Sequence, residues 1–559
     1  MDVSDNGVKY ALSLIEAANL PHPSGRLLEL FVTEALYPVL AAQYVKKRLQ
    51  LGEASSLVDD WLYIINSVAR DGHAPPEPNV AEQRTIRRRD GGRCCVTGKA
   101  GTLRDPLIVA PILPVPHGWD TEKPGINDML GAFFGPPYRD WWLSYIRDPE
   151  YISPYCNHWL IRKSVARAFA LGVVRLNRLH PSFVEYELKQ EPIGPADPIK
   201  VDGVRPLLGD HSRSGTPKVH PCLVGTQARL SRSIQYLELY QKLASEAASQ
   251  NSQISTGLSE KHPNIVLRNR WSTLSILTVA FFTVWCLVPS KIRVSCYKAL
   301  QKLGERLYGR NDDYHGVQKL PFGLCLKWDT DIDLFHNEAN ALDMIRQHTT
   351  IPVPKVLDMV NDLSSPWPQT YLLTTRGPGS SLRRCHDVLL DKDIERIAAQ
   401  LKDYIAQLRD IPRSVCSDTA ICNTLGDACR DPRILSADPI GPFADEVAFS
   451  QMLRFSDDPA RRGHKIVFTH ANIRPCNILV DQIPQPDGSM GWSVTGIVNW
   501  EFAGYYPEYW DYTKAMMAGA GMTCMRRYSD LMRSVFGEFG DYSREFDVEE
   551  TSWGMLKDI

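Results

Sequence analysis

The chain has 559 residues, 43% hydrophobic and 23% charged, the balance of an ordinary globular protein, which excludes disorder or a collagen-like fibre as a description of the whole. A formal net charge of −2 gives no global attraction to nucleic acid or anionic membrane, so binding of either kind has to come from a local patch. The thirteen cysteines are odd in number and include no C-x-x-C pair, which argues against a disulfide framework or zinc ribbon and for reduced thiols in the cytosol.

The opening "MDVSDNGVKY" has no basic stretch followed by an apolar core, so no secretory signal is expected and the chain reads as starting inside the cell. Residues 1–75 form a helical N-terminal segment, with apolar residues at helical spacing over 27–49 and 57–70. The Pro-rich "GHAPPEPN", residues 72–79, breaks it and leads into a mixed region over 76–210. A helix at about 227–248 and a polar linker ending in "SEKHPN" occupy 211–265, which puts the main domain boundary near 250–265.

Residues 266–289 are an apolar segment. Within it "WSTLSILTVAFFTVWCLV", Trp271 to Val288, has no charge and approaches the length of a bilayer span, with Arg268 and Arg270 before it and Lys291 and Arg293 after it. Five Ser or Thr residues and positive charge on both flanks favour a helix lying at an interface or in a core over one that spans. Membrane association through 271–288 is therefore a candidate property of an otherwise cytoplasmic chain.

Residues 290–559 alternate strands and helices. Pro289 breaks the chain, Ser290 is placed to cap a helix, and Gly309 ends it. "PFGLCLK" reads as a strand that delivers Lys327. The helix "DLFHNEANALDMIRQH" puts Glu338 on a face with Leu334, Ala341, Leu342 and Ile345, and a carboxylate there needs a cation, which Lys327 can supply. "YLLTT" and "RGPGSSL" read as a strand running into a Gly/Pro turn. In "KIVFTHANIRPCNILVD" a strand ends at Phe468, a loop carries His470, Asn472 and Asn477, and a second strand follows. A hairpin at "PDG" returns through "WSVTGIVNWEFAG", so that Asn499 emerges beside Asn477.

These pieces resemble the aminoglycoside phosphotransferase and choline kinase group, in particular its fungal branch, over roughly residues 290–530; "HTTIPVPKVLD" and "WEFAGYYPEYWDY" carry the fungal likeness. The resemblance implies an α+β chain whose C-terminal part has a two-lobed protein-kinase-like fold, ATP and Mg²⁺ as cofactors, and a small-molecule acceptor. The family's hallmark is H-G-D-x-x-x-x-N followed by a strand ending in D-W-E. Its loop aspartate accepts the substrate proton, its loop asparagine and second aspartate hold magnesium, and its Lys–Glu pair fixes the nucleotide phosphates. Lys327, Glu338, His470 and Asn477 match that pattern; Asn472 stands at the catalytic aspartate and Asn499 at the metal aspartate. An amide is no base and only a neutral ligand, so Mg²⁺ binding should be weak, and loss of the base alone typically costs ~10²- to 10⁴-fold in rate. The expectation is a pseudokinase-like protein that still binds nucleotide.

In the N-terminal half, "RRRDGGRCCVTGKAGTLRDPLIVAPILPVP" (87–116) and "NHWLIRKSVARAFALG" (157–172) resemble a fungal HNH endonuclease-like module of mixed α/β structure. Asn157 and Phe169 match it. Pro111 and Ala166 stand where the family has histidines and Ala170 where it has aspartate, while His117 and His158 are out of register, so the module is degenerate and His158 reads as a partly exposed structural histidine. Nucleic acid is not an expected partner, although Arg84, Arg87, Arg88, Arg89, Arg93, Lys99 and Arg104 form a basic run that could hold phosphates. Two alternatives stand beside the phosphotransferase reading: a non-catalytic scaffold built from two retired enzyme folds, and a fusion of two neighbouring genes across the linker.

Overall fold

The computed structural model describes residues 3–119, 124–180, 184–195, 206–253, 276–309, 316–362, 368–413, 419–431, 439–485, 490–519 and 526–554. The chain divides into two compact units, Met1–Ser259 and Glu260–Ile559.

The first unit opens on helices Val3–Ala17, Ser24–Thr33, Pro38–Gln50 and Ala54–Ala69. The run expected as one helix over 27–49 is interrupted at residues 34–37, because Pro38 has no N–H to continue a helix and instead occupies the first turn of the next one. Phe31, Trp61 and Phe133 interlock at its centre, with ring centroids 4.9 Å apart for Phe31–Trp61 and 4.7 Å for Trp61–Phe133. Strands Leu107–Pro111 and His158–Arg162 pair antiparallel, Pro111 opposite His158, and helix Lys163–Ala170 follows. Helix Pro221–Gln253 runs beyond both ends of the expected 227–248 and packs on strand Val174–Arg178 and helix Ala54–Ala69.

In the second unit an antiparallel sheet orders its strands Val317–Leu320, Leu324–Asp329, Gln369–Thr375, Val356–Asp362. Helices Ser290–Tyr308 and Ile332–His348 pack on it. Ser290 is the first residue of its helix and makes no side-chain cap; Pro289 precedes it and Gly309, at φ 79°, ends it. A second sheet joins Ser380–Ser381, Ile478–Pro484 and Met490–Ile497, and a third joins Cys422–Asn423, Gly504–Pro507 and Ile466–Thr469. Helices Asp391–Arg409, Trp510–Gly519, Arg526–Phe536 and Ser543–Gly554 enclose a core that includes Trp500, Tyr505, Tyr506 and Trp510, each 1% exposed or less. The turn expected at Pro486–Gly488 lies outside the described residues.

The apolar segment contains helix Ile276–Trp285 of 10 residues, and residues 271–275 lie outside the described residues. Ten residues rise about 15 Å, half of a bilayer core of about 30 Å. Among the described residues no helix is long and apolar enough to cross a membrane.

Candidate functional site

Strand Leu324–Asp329 alternates its side chains, and Lys327 falls on the face turned toward helix Ile332–His348, on whose buried side Glu338 sits. Lys327 Nζ lies 2.5 Å from Glu338 Oε1 and 3.8 Å from Glu501 Oε2. Burial alone would pull the ammonium down, but the two carboxylates outweigh it and hold Lys327 above the usual lysine range. Burial pushes the Glu501 carboxyl up, and Lys327 offsets that only in part. Two carboxylates thus share one buried cation, and Glu501 is the partner that the sequence did not single out.

The loop after strand Ile466–Thr469 is held from several sides. His470 is fully buried, its Nε2 donating to the Val498 carbonyl at 3.0 Å and its Nδ1 accepting from the Asn472 N–H at 3.1 Å. Burial drives its pKa down to about 3, so the ring is neutral and both nitrogens are engaged by backbone. In this geometry His470 pins the loop and has no free nitrogen for proton transfer. Asp511 accepts from the His470 N–H at 3.1 Å and the Ala471 N–H at 2.7 Å. Ala471 occupies the left-handed region at φ 57°, where the family pattern has glycine. An acid set between Trp510 and Tyr512 in the aromatic run "YYPEYWDY" is the available signal for Asp511, since a carboxylate among buried rings needs donors.

Asn472, Asn477 and Asn499 are all buried and form a chain of amides. Asn499 Nδ2 donates to Asn477 Oδ1 at 2.8 Å, and Asn477 Nδ2 donates to the Asn472 carbonyl at 2.8 Å. Asn472 Oδ1 is buried with no hydrogen-bond partner. Asn499 takes φ 67°, which asparagine tolerates better than most residues. Asn337 braces the arrangement: its Nδ2 donates to the carbonyls of Glu501 and Ala503, both at 2.9 Å, and its Oδ1 accepts from Thr424. The helix that carries Glu338 is thereby tied to the segment that carries Asn499.

A buried lysine poised between two carboxylates fits a phosphate that would replace one of them. A divalent cation fits poorly. The oxygen of Asn477 is already occupied by an amide donor, Asn472 and Asn499 bring no charge, and the nearby carboxylates face Lys327.

In the first unit, Asn157 is buried and hydrogen-bonds both the N–H and the carbonyl of Leu113 and the Tyr145 hydroxyl. His158, expected partly exposed, is 3% exposed, with Nδ1 3.1 Å from the Pro154 carbonyl. Burial holds it below the usual histidine range. Arg89 leaves the expected phosphate-holding run: it is fully buried and donates to Asp90 and to the carbonyls of Tyr155, Pro217 and His158. Asp90 in turn accepts from the Leu160 N–H at 2.7 Å, so the pair clamps strand His158–Arg162 from inside. Exposed His117 and His73 touch at 3.1 Å between ring nitrogens. Among the described residues no group of three His, Cys, Asp or Glu is placed to hold a metal.

Residues 329–531 match the family described as Phosphotransferase enzyme family, whose span begins just after Lys327 and includes Glu338, the 470–477 loop and Asn499. No curated protein matches the chain. Among solved structures, a thermostable mutant of aminoglycoside phosphotransferase APH(4)-Ia, in its ternary complex with ADP and hygromycin B, is 13% identical with a TM-score of 0.31, covering 46% of this chain and 93% of that one. Aminoglycoside-3'-phosphotransferase of type VIII is 14% identical with a TM-score of 0.28, covering 44% and 97%.

Proposed function

We propose that the second unit is a kinase-like domain that binds nucleotide through Lys327 and Glu338, with little help from magnesium, and that it is impaired in transferring phosphate to a small-molecule acceptor. The observation that carries this reading is the hydrogen bond from Asn499 Nδ2 to Asn477 Oδ1. An aspartate at 499 has no proton to give there, so in the family's pattern both oxygens would be left to face a cation; here one amide satisfies the other. The second support is the site of Asn472, whose buried oxygen accepts no donor and cannot take a proton from a hydroxyl. The match of residues 329–531 to a phosphotransferase family supports the general class.

The test is calorimetric titration of the full chain with ATP, with and without Mg²⁺, beside the double variant Asn472→Asp, Asn499→Asp. ATP should bind the unaltered protein with nearly the same affinity in both conditions, and turnover should stay near background. The double variant should acquire magnesium-enhanced binding and slow hydrolysis, and either single change much less, because base and metal act as one unit. Turnover by the unaltered protein equal to that of the double variant would overturn the impaired reading.

A further inference from the structure

We infer that the paired helices Ile276–Trp285 and Ser290–Tyr308 form a docking face for an anionic lipid bilayer, so that the second unit rests on a membrane surface without crossing it. The two helices are fixed to the unit by one side only. Phe282 and Trp285 of the first, with Val294, Tyr297 and Leu300 of the second, pack on a cluster that includes Leu326, Val360 and Tyr371. Trp285 Nε1 donates to the Tyr297 hydroxyl at 2.8 Å. Asp358, nearly buried on the sheet, takes hydrogen bonds from the Tyr297 hydroxyl and the Arg293 guanidinium, which locks the turn around Pro289 in place.

The outward side is apolar where a water-facing helix would be polar. Val284 is 64% exposed and Leu287, in the turn that follows, 82%, with Phe281 beside them at 58%. On a 3.6-residue period Val284 lies opposite the half-buried Phe282 and Trp285, so the first helix has apolar groups on both its inner and its outer side. The second helix separates them into two adjoining outer rows. Ile292, Leu303 and Leu307 are exposed at 52%, 41% and 44%, in one row with Ala299 at helical spacing. Lys291, Lys298, Lys302 and Arg306 make the row next to it. The helix carries five cations, counting Arg293, against the single acid Glu305; Arg293 pairs with Asp358 and Lys298 with Asp362 on the sheet.

An apolar row beside a lysine row, on a rigid support, matches the chemistry of an anionic headgroup layer, which takes apolar side chains at the acyl boundary and cations among the phosphates. A second copy of this chain would bring its own lysine row against this one, so charge favours lipid over self-association.

The experiment is sedimentation of the full chain with vesicles of phosphatidylcholine alone or mixed with phosphatidylserine. Binding is expected to the mixed vesicles, to weaken as salt rises, and to be released by a carbonate wash. Val284→Ser with Leu287→Ser should lower the partition coefficient at least ~10-fold. Lys291→Gln with Lys302→Gln should lower it about fivefold per lysine on mixed vesicles and leave phosphatidylcholine unchanged. All four positions are exposed, so the melting curves of both double variants should overlay that of the unaltered chain, which separates lost docking from lost folding. Failure to sediment with mixed vesicles at low salt would overturn the proposal. So would retention through the wash, which means spanning, or a dimer in analytical ultracentrifugation that the apolar double variant abolishes while lipid binding persists.

Discussion

Replacing Asn499 by aspartate removes one hydrogen bond at the centre of the site, and its cost can be worked from the geometry. The Asn499 amide donates over 2.8 Å to Asn477 Oδ1, and the two residues are 6% and 1% exposed. A carboxylate in that position loses the bond and sets oxygen against oxygen. A buried acceptor left unsatisfied costs about 1–3 kcal/mol, and an uncompensated buried charge about 3–5 kcal/mol. We expect Asn499→Asp to lower the local stability of the second unit by about 3 kcal/mol without a divalent cation, and Asn499→Ala, which removes the donor without adding charge, by about half as much. Magnesium should then act differently on the two proteins. It should leave the unaltered chain unchanged but stabilise Asn499→Asp, by about 2.7 kcal/mol once its free concentration is about 100 times its Kd. Native-state hydrogen exchange of peptides from strands Ile478–Pro484 and Met490–Ile497 reads both effects where they arise and does not require the whole chain to unfold in one step. If Asn499→Asp is as protected as the unaltered protein without magnesium, or magnesium protects both equally, the argument from donor direction is wrong.

Two further perturbations test neighbouring parts of the site. His470 has a folded pKa of about 3 against an unfolded value of about 6.5, so the unfolded chain takes up the proton first and stability falls with pH between those values. From pH 7 to pH 5 the loss from this group should be about 2 kcal/mol. His464 works in the other sense: burial pulls it down, but Glu446 and Glu545 outweigh that and raise it, so its contribution is largest at low pH and is lost as pH rises through its folded pKa. The comparison is therefore between the unaltered chain and His470→Gln, whose urea-unfolding stability should depend less steeply on pH over that range; equal slopes would refute the buried neutral ring. At the shared cation, Lys327→Met leaves Glu338 and Glu501 facing each other and should cost about 3–5 kcal/mol, whereas Glu338→Gln leaves Lys327 a partner 3.8 Å away in Glu501 and should cost about 1–2 kcal/mol. Equal losses, measured by the same exchange method, would mean that Glu501 takes no part in the pair.

What the sequence determined by itself was local. The order of strands and helices after residue 315 follows from apolar spacing and from Gly and Pro punctuation, and short loops carry the chemistry at fixed offsets from those elements. Spacing places Lys327 against Glu338 and Asn499 beside Asn477, and the resemblance to the phosphotransferase loop adds His470 and Asn472. The break at Pro38 is equally local, although the apolar period continues across the proline and masks it. What only the tertiary structure decided was which groups far apart in the chain share a partner. Glu501 joins Glu338 on one lysine from 163 residues further on. Asp511 holds a loop 40 residues before it, and Asn337 braces Glu501 and Ala503. Arg89, one of seven cations in a basic stretch, lies inside because Asp90 and three carbonyls from distant segments meet it there. A charge pattern along the chain does not distinguish a buried cation from a solvated one, and neither does it give the direction of a hydrogen bond between two amides. Both depend on what the rest of the fold brings within about 3 Å, where desolvation makes each unmatched polar atom costly.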